Sequence, residues 1–254
     1  MKKTIFLIFY ICLHFSLFTQ NIQSNTLLQQ IDDLISFNHA DLSAEYTIVT
    51  QEPGGSISKT VAAVFRRDAK QQLMAIILEP SQDKGQGYLK DQGVLWLYDP
   101  DDNTFTSTSS KNKFRNTGLR ISDLEVPNYA KNYEIVGQSQ QQLGKFNCTV
   151  LELSATNNSV TYAKTKIWVS EDNLIRKTED YSLSGQLLRT TAIPTYQKVD
   201  SKWLPQTIVI QDHLIFKVIN NQTVYERTSI TIQNPSASTL PDTVYTKEYL
   251  QRVR

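Results

Sequence analysis

The sequence predicts a mainly β protein in which one amphipathic helix precedes a long antiparallel sheet. From residue 43 onward, short segments rich in Val, Ile, Thr, Tyr and Phe recur, and these residues favour the half-buried surface of a sheet. Turn residues such as Pro53-Gly54-Gly55 and Asp200-Ser201 separate the segments, which leaves connections too short for crossovers. We therefore expect thirteen strands in one extended meander, the first near residues 44–51 and the last near 224–233.

The predicted helix comes directly before the first strand. Asn25 can serve as its N-cap, and five apolar residues then recur at helical spacing. These residues are Leu27, Leu28, Ile31, Leu34 and Ile35. A second, short helical turn is expected at Ser122-Asp123-Leu124, and Pro127 would end it.

Two predicted strands are apolar on both faces. Residues 73–78 read Leu-Met-Ala-Ile-Ile-Leu and residues 94–98 read Val-Leu-Trp-Leu-Tyr. In a strand with one solvent-exposed face, by contrast, apolar and polar residues alternate. One explanation is core on one face and a helix or a long loop on the other. The second is a curved sheet whose concave face lines an apolar cavity beneath the first helix, with a ligand supplying part of the burial.

The N-terminus has the layout of a secretory signal peptide. Lys2 and Lys3 precede an uncharged apolar stretch that ends at Phe18, shorter than the roughly 18 to 20 residues of a spanning helix. We expect residues 1–20 to form a cleaved signal peptide. An uncleaved membrane anchor, or lipid attachment at Cys12, is the less favoured alternative.

The mature chain, residues 21–254, is expected to form one domain in the periplasm and to be a monomer. Its only cysteine is then Cys148, which lies in a strand-like run and is expected to be a small buried hydrophobe. Without Lys2 and Lys3 the chain carries 24 basic and 25 acidic side chains. Because this balance leaves no excess of positive charge to bind phosphates, we expect no nucleic-acid partner.

No pattern typical of an enzyme is present. His39 and His213 stand alone, and the chain has no Gly-x-Ser-x-Gly elbow. No pair of His or Cys has zinc-ligand spacing. Residues 99–103 begin like a calcium loop but lack its later Gly and Glu, so an acidic hairpin turn is expected there. We therefore predict no catalytic residue, no metal and no cofactor.

Several short blocks, taken together, resemble a known family. Phe65-Arg66-Arg67-Asp68 and then Leu95-Trp96-Leu97-Tyr98-Asp99-Pro100 are similar to the arginine strand and the following hairpin of the LolA-like periplasmic lipoprotein carriers. Further blocks at residues 79–89, 180–190 and 241–247 resemble the related outer-membrane lipoprotein-sorting proteins. In order, the blocks extend from about residue 65 to 250, most of the mature chain.

The resemblance implies a half-closed antiparallel barrel, with an N-terminal helix and short helical segments as a lid over an apolar cavity. In that family an arginine on the early strand hydrogen-bonds to the lid and keeps the empty cavity closed. Arg67 matches it, or Arg66 if the register slips by one. The alternative is that both arginines are ordinary surface charges at the end of a strand.

The cavity lining can be proposed only from the apolar pattern of the early strands. The candidates are Val64, Leu73, Ile76, Leu78, Leu95, Trp96 and Leu97. Because strand residues alternate between faces, about half of them can face inward.

The resemblance also implies a function. The expected protein is a periplasmic carrier that binds lipoprotein acyl chains or a similar lipid, exchanges them with inner- and outer-membrane transfer proteins, and takes part in outer-membrane lipoprotein sorting. The alternative is an envelope sensor or adaptor, or another lipid-binding interaction module, because one fold can serve several functions.

Overall fold

The computed structural model describes residues 26–253. The predicted signal peptide, residues 1–20, and Cys12 therefore lie outside the described residues. Among those that are described, no helix is both long and apolar enough to cross a membrane.

Helix α1 occupies residues 26–35 and is followed by thirteen strands. The strands are β1 (Asp41–Gln51), β2 (Ile57–Arg67), β3 (Gln72–Glu79), β4 (Gly87–Asp91), β5 (Val94–Asp99), β6 (Thr104–Thr108), β7 (Tyr133–Leu143), β8 (Phe146–Ala155), β9 (Lys164–Ser170), β10 (Ile175–Tyr181), β11 (Leu187–Val199), β12 (Lys202–Ile219) and β13 (Gln222–Ser238). Two short helices, α2 (Tyr129–Asn132) and α3 (Lys247–Arg252), complete the main elements. The mainly β prediction is confirmed.

All thirteen strands form one antiparallel sheet in the order β6-β5-β4-β3-β2-β1-β13-β12-β11-β10-β9-β8-β7. The expected single sheet is therefore correct, but the expected single meander is not. The chain forms two meanders, β1 to β6 and β7 to β13, which are joined where β1 pairs with β13, for example Ile48 with Ile230. The edge strands β6 and β7 do not pair with each other, so the sheet is open.

The segment that connects the two edge strands covers one face of the sheet, called the inner face below. It spans residues 109–132 and includes a short 3-10 helix, Ile121–Leu124, at the predicted helical turn. Phe114, Leu119 and Leu124 from this segment belong to the largest apolar cluster, together with inward side chains of β1 to β5 such as Ile77. Burial of these side chains holds a long irregular segment on the sheet.

Helix α1 covers another part of the inner face. Leu28 and Ile31 are almost fully buried against Leu151 and Ile167 of β8 and β9, and Leu27 packs beside them at partial burial. Their spacing puts them on one side of the helix, as the sequence predicted.

The C-terminal segment covers the opposite, outer face of β3 to β5. Met74 and Ile76 are buried there against Val244, Tyr245 and Leu250. A Cβ atom at Gly87 would overlap a methyl group of Leu250, so glycine at this position allows α3 to approach β4 closely. The first explanation of the doubly apolar strands is therefore correct: both of their faces are packed, one under a long loop and the other under a helical segment.

Candidate functional site

A cavity of about 730 Å³ lies on the inner face, between the sheet and the segments that cover it. Strands β9 to β13 provide its floor, Ile35 at the end of α1 borders it, and residues 119–133 and 157–162 form much of its remaining wall. Its volume is within the range of about 300–1,000 Å³ that is typical of ligand pockets.

Isoleucine is the most frequent residue on the floor of the cavity. Ile208 of β12 and Ile230 of β13 are direct cross-strand partners, and Ile210 and Ile232 lie two residues further along the same strands. Side chains two residues apart share one face of a strand, so alternation alone produces this apolar surface. Ile193 of β11 extends it and remains partly exposed.

The rim of the cavity is polar. Lys90 and Glu125 form an ion pair at 2.5 Å, and Ser110 donates a hydrogen bond of 2.7 Å to the same carboxylate. Asn128 and Lys131 also line the cavity. An apolar interior with a polar rim suits a ligand that has one long apolar part.

A charged cluster forms one wall. The Arg189 guanidinium donates from Nη1 to Asp123 at 2.7 Å and from Nε to Asp180 at 3.0 Å, and Thr165 donates to Asp180 at 3.0 Å. Burial raises the pKa of Asp180, although Arg189 opposes this effect. Burial lowers the pKa of Arg189, but Asp123 and Asp180 together raise it well above its ordinary value. The guanidinium therefore remains charged within the wall.

A buried carboxylate connects α1 to α2 at the cavity. Asp32 accepts hydrogen bonds from the backbone N–H groups of Tyr129 and Ala130, at 3.1 and 2.9 Å. Burial raises the pKa of Asp32 to about 6, although the two N–H donors act in the opposite direction. Helix α1 and the covering segment are thus joined by a carboxyl group whose pKa is raised to about 6.

The two arginines predicted to keep the lid closed, Arg66 and Arg67, are both buried, and they contact different covering segments. Arg66 faces the inner side, where it pairs with Asp68 at 2.6 Å and donates from Nη2 to the backbone carbonyl of Ile35 at 3.3 Å. The Asp68 carboxylate also accepts from the backbone N–H of Phe37 at 2.8 Å. Arg66 therefore contacts the end of the predicted lid helix.

Arg67 faces the outer side. It forms two hydrogen bonds of 2.8 Å with the Asp41 carboxylate, donates to the Leu240 carbonyl at 2.7 Å, and pairs with Asp242. Its guanidinium stacks over the Tyr245 ring, 4.5 Å from the centroid. The hydrogen bond with Asp41 raises the pKa of Arg67. Its partners hold the C-terminal segment, not α1.

The seven predicted lining residues lie in the packed β2 to β5 region, and the wall of the 730 Å³ cavity consists of other residues. Val64, Leu73 and Leu95 are buried in the inner cluster, and Leu97 packs against it. Ile76 and Trp96 are on the outer face with the C-terminal segment. Leu78 is half-buried near the end of β3.

Of the five lid-helix candidates, Ile35 alone borders the cavity. Leu27, Leu28 and Ile31 attach the helix to the sheet, and Leu34 is half-buried. In the described residues, no group of three or more His, Cys, Asp or Glu side chains could hold a metal ion.

A comparison with family models gives one match. The model, described as "Uncharacterized protein", matches residues 69–252. The chain belongs to this family. No curated protein matches it.

Solved structures identify the fold. A LolA superfamily protein from Nitrosomonas europaea is 23% identical, with a TM-score of 0.73 over 89% of this chain and 98% of the other. A putative outer membrane lipoprotein-sorting protein domain from Vibrio parahaemolyticus is 18% identical, with a TM-score of 0.77 over 91% and 100%. The chain has the LolA-superfamily fold.

A third solved structure is also similar to this chain over most of its length. A DUF1329 family protein from Desulfovibrio piger is 16% identical, with a TM-score of 0.78 over 91% of this chain and 99% of the other. The LolA-like fold therefore covers nearly all described residues, as the sequence blocks predicted.

The isoleucines of the cavity floor were missed by sequence reasoning, although a signal for them exists. In β12 and β13, Ile208, Ile210, Ile230 and Ile232 alternate with residues of the other face, which is the ordinary pattern of a strand with one apolar side. The doubly apolar strands are more conspicuous, but their extra apolar face packs against the C-terminal segment.

Proposed function

We propose that this protein is a periplasmic carrier that binds lipoprotein acyl chains, or a comparable lipid chain, and takes part in outer-membrane lipoprotein sorting. The observation that carries the proposal is the cavity of about 730 Å³ with its isoleucine floor and polar rim. Two structures with the same fold bear the names LolA superfamily protein and putative outer membrane lipoprotein-sorting protein domain.

The physical basis is the transfer of a hydrocarbon chain from water to an apolar surface. Each buried methylene contributes about 0.8 kcal/mol, so apolar contact with a floor that includes Ile193, Ile208 and Ile230 can hold a long chain. A carrier also has to release its ligand. Apolar contact without a covalent bond permits this, and the proposal needs no catalytic group.

In this proposal the open sheet and its covering segments act as a half-closed barrel, with α1 as the lid. The contact of Arg66 with the Ile35 carbonyl supports this role for α1. An arginine next to an apolar cavity is costly unless its donors have partners. The lid carbonyl is one such partner in the closed form, and opening of the lid would replace it with water.

The proposal is tested by lipid extraction and by displacement of a fluorescent probe. Mass spectrometry of the purified mature protein should detect bound lipid, and acyl chains should displace an uncharged naphthylamine dye. Ile208→Phe should lower dye affinity at least roughly tenfold, because the added ring fills space in a pocket of the usual ligand size. Absence of both lipid and dye binding would contradict the proposal.

The matched control is Ile219→Phe. Ile219 is exposed at the far end of β12, away from the cavity, and the same substitution there should leave dye affinity unchanged. An equal loss in both variants would mean that the dye does not report on the cavity.

An exposed apolar surface favours the adaptor function as a second candidate. The end of the β12–β13 hairpin exposes Leu214, Phe216 and Val218, with Phe216 about half accessible. Large apolar side chains grouped on a surface are typical of interaction sites. If this surface carries the function, Phe216→Ser with Val218→Ser should abolish envelope function while dye binding remains intact.

A further inference from the structure

Polar side chains cross the inner face at one wall of the otherwise apolar cavity. Thr178 of β10 is directly opposite Thr191 of β11, and the next pair on the same face is Asp180 and Arg189. All four border the cavity. A purely hydrocarbon ligand would leave these groups facing apolar atoms, which is unfavourable.

The hydroxyl group of Thr191 lacks a hydrogen-bond partner among the described residues. Its side-chain oxygen is buried and makes no hydrogen bond in the described part of the chain, and the residue is 8% exposed. A buried hydroxyl without a partner costs about 1–3 kcal/mol. A ligand in the cavity could supply that partner.

Arg189 has unused hydrogen-bonding capacity beside it. Its Nε and Nη1 atoms donate to Asp180 and Asp123, whereas Nη2 has no partner among residues 26–253. A guanidinium has five N–H donors in a fixed fork. Arg189 and Thr191 are two residues apart on β11 and therefore share a face, so both can donate to one acceptor on a ligand.

The charge of this wall determines which acceptor fits. Asp123 and Asp180 oppose the single positive charge of Arg189, which leaves this three-residue cluster with a net negative charge, whereas Lys90 and Lys131 line other parts of the cavity. A ligand carboxylate would be repelled in this poorly solvated place. A neutral carbonyl oxygen accepts the same hydrogen bonds without that repulsion.

We propose that this polar wall binds the carbonyl oxygen of an ester- or amide-linked acyl chain, so that the cavity prefers such chains over free fatty acid anions. This inference rests on the proposed function and specifies the ligand class of the same cavity. The isoleucine floor holds the chain, and Thr191 and Arg189 hold its point of attachment.

The test measures displacement of the naphthylamine dye by methyl laurate, lauramide and laurate at pH 8, with wild-type protein and Thr191→Val. Wild type should bind the ester and the amide more tightly than the carboxylate. Thr191→Val should weaken binding of the ester and the amide by roughly three- to tenfold, since one hydrogen bond is lost. Binding of the dye and of laurate should stay unchanged.

Thermal unfolding separates this function from a structural one. Because Thr191→Val removes a hydroxyl that has no partner, its stability should equal or exceed that of wild type. Thr190→Val is the matched control: it changes the neighbouring residue on the opposite face, whose hydroxyl contacts His213 at 3.0 Å. It should leave all three ligand affinities unchanged.

The outcomes distinguish this inference from the proposed function. If the dye binds but Thr191→Val leaves the ester and amide affinities unchanged, the polar wall does not recognise a carbonyl and only the inference fails. Equal binding of the amide and the carboxylate to wild type would overturn it in the same way. If neither dye nor acyl ligand binds to wild type, both proposals fail.

Discussion

In the region formed by β1 to β5, most inward apolar side chains are packed beneath the covering segment, whereas in the region formed by β9 to β13 several inward side chains border the cavity. Ile77 in the first region is fully buried in the same apolar cluster as Phe114 and Leu119 of the covering segment. Ile208 in the second is half-buried and lines the cavity. Both side chains point to the inner face of the sheet, so the difference between them comes from what covers that face.

The early region is also covered on both faces. Arg66 and Arg67 are adjacent in sequence and point to opposite sides of β2, where one contacts the end of α1 and the other the C-terminal segment. The early strands therefore form a closed double-sided core, and the later strands leave room for a ligand. The predictions below test this contrast, beginning with the largest expected effect.

Arg67→Met should lower the free energy of unfolding by about 3–5 kcal/mol, because it leaves the buried Asp41 carboxylate without its charged partner. Urea denaturation measures the loss. Lys59→Met, on the same strand, removes one side of an exposed ion pair with Glu79 and should cost less than about 1 kcal/mol. Similar losses in both variants would argue against a structural role for the buried pair.

Ile77→Ala should cost about 2–5 kcal/mol, because it removes packed atoms and opens a void in the early core. The same change at Ile208 should cost only about 1–2 kcal/mol, since that side chain already borders the cavity. Urea denaturation of the two variants gives the comparison. An equal loss at the two positions would contradict the distinction between a packed and an open region.

Asp32 should make stability pH-dependent in the later region. Its pKa is raised from 3.8 to about 6 in the folded protein, so folding favours the protonated form. The contribution of Asp32 to the free energy of unfolding is fully present below pH 4 and is lost as the pH rises through 6. The free energy of unfolding changes by at most about 3 kcal/mol over this range. Urea midpoints at pH 4, 5, 6 and 7 should fall less steeply in Asp32→Asn than in wild type. Parallel pH profiles would exclude this contribution.

Arg66→Lys should have the smallest effect on stability and a specific effect on ligand release. Lysine keeps the charge opposite Asp68 but lacks the planar fork that also reaches the Ile35 carbonyl. Loss of this hydrogen bond should destabilise the closed lid by about 1 kcal/mol, which corresponds to roughly fivefold faster dye release. Stopped-flow fluorescence measures the release rate. Arg67→Lys should leave release unchanged because its contacts are on the outer face. Faster release in both variants would remove the distinction between the two arginines.

Much of the local structure follows from the sequence. Residues 72–79 form β3 with the predicted bounds, and the turn at residues 99–103 connects β5 and β6 as expected, with Tyr98 donating to Asn103 at 3.0 Å. Cys148 is buried in β8 beside Val150 and Trp168. In each case neighbouring residues carry the information, because alternation and turn chemistry act over a few positions.

The last hairpin was predicted too short. The sequence predicts strands near residues 204–212 and 224–233, whereas β12 and β13 extend to a two-residue turn at Asn220 and Asn221. Both asparagines have positive φ, 49° and 62°, as a tight hairpin turn requires. An Asn-Asn pair is a weaker signal than Asn-Gly, which explains why the turn was not recognised.

By itself, the sequence determined the strands, the apolar face of α1 and the family resemblance, because these depend on local periodicity and short motifs. Tertiary structure alone decided that β1 pairs with β13, that residues 109–132 cover the early strands, and that Arg66 and Arg67 hold different segments. Those contacts join residues far apart in the chain. The same apolar side chain becomes packed core or cavity wall according to what lies above it, and alternation along a strand contains no information about that.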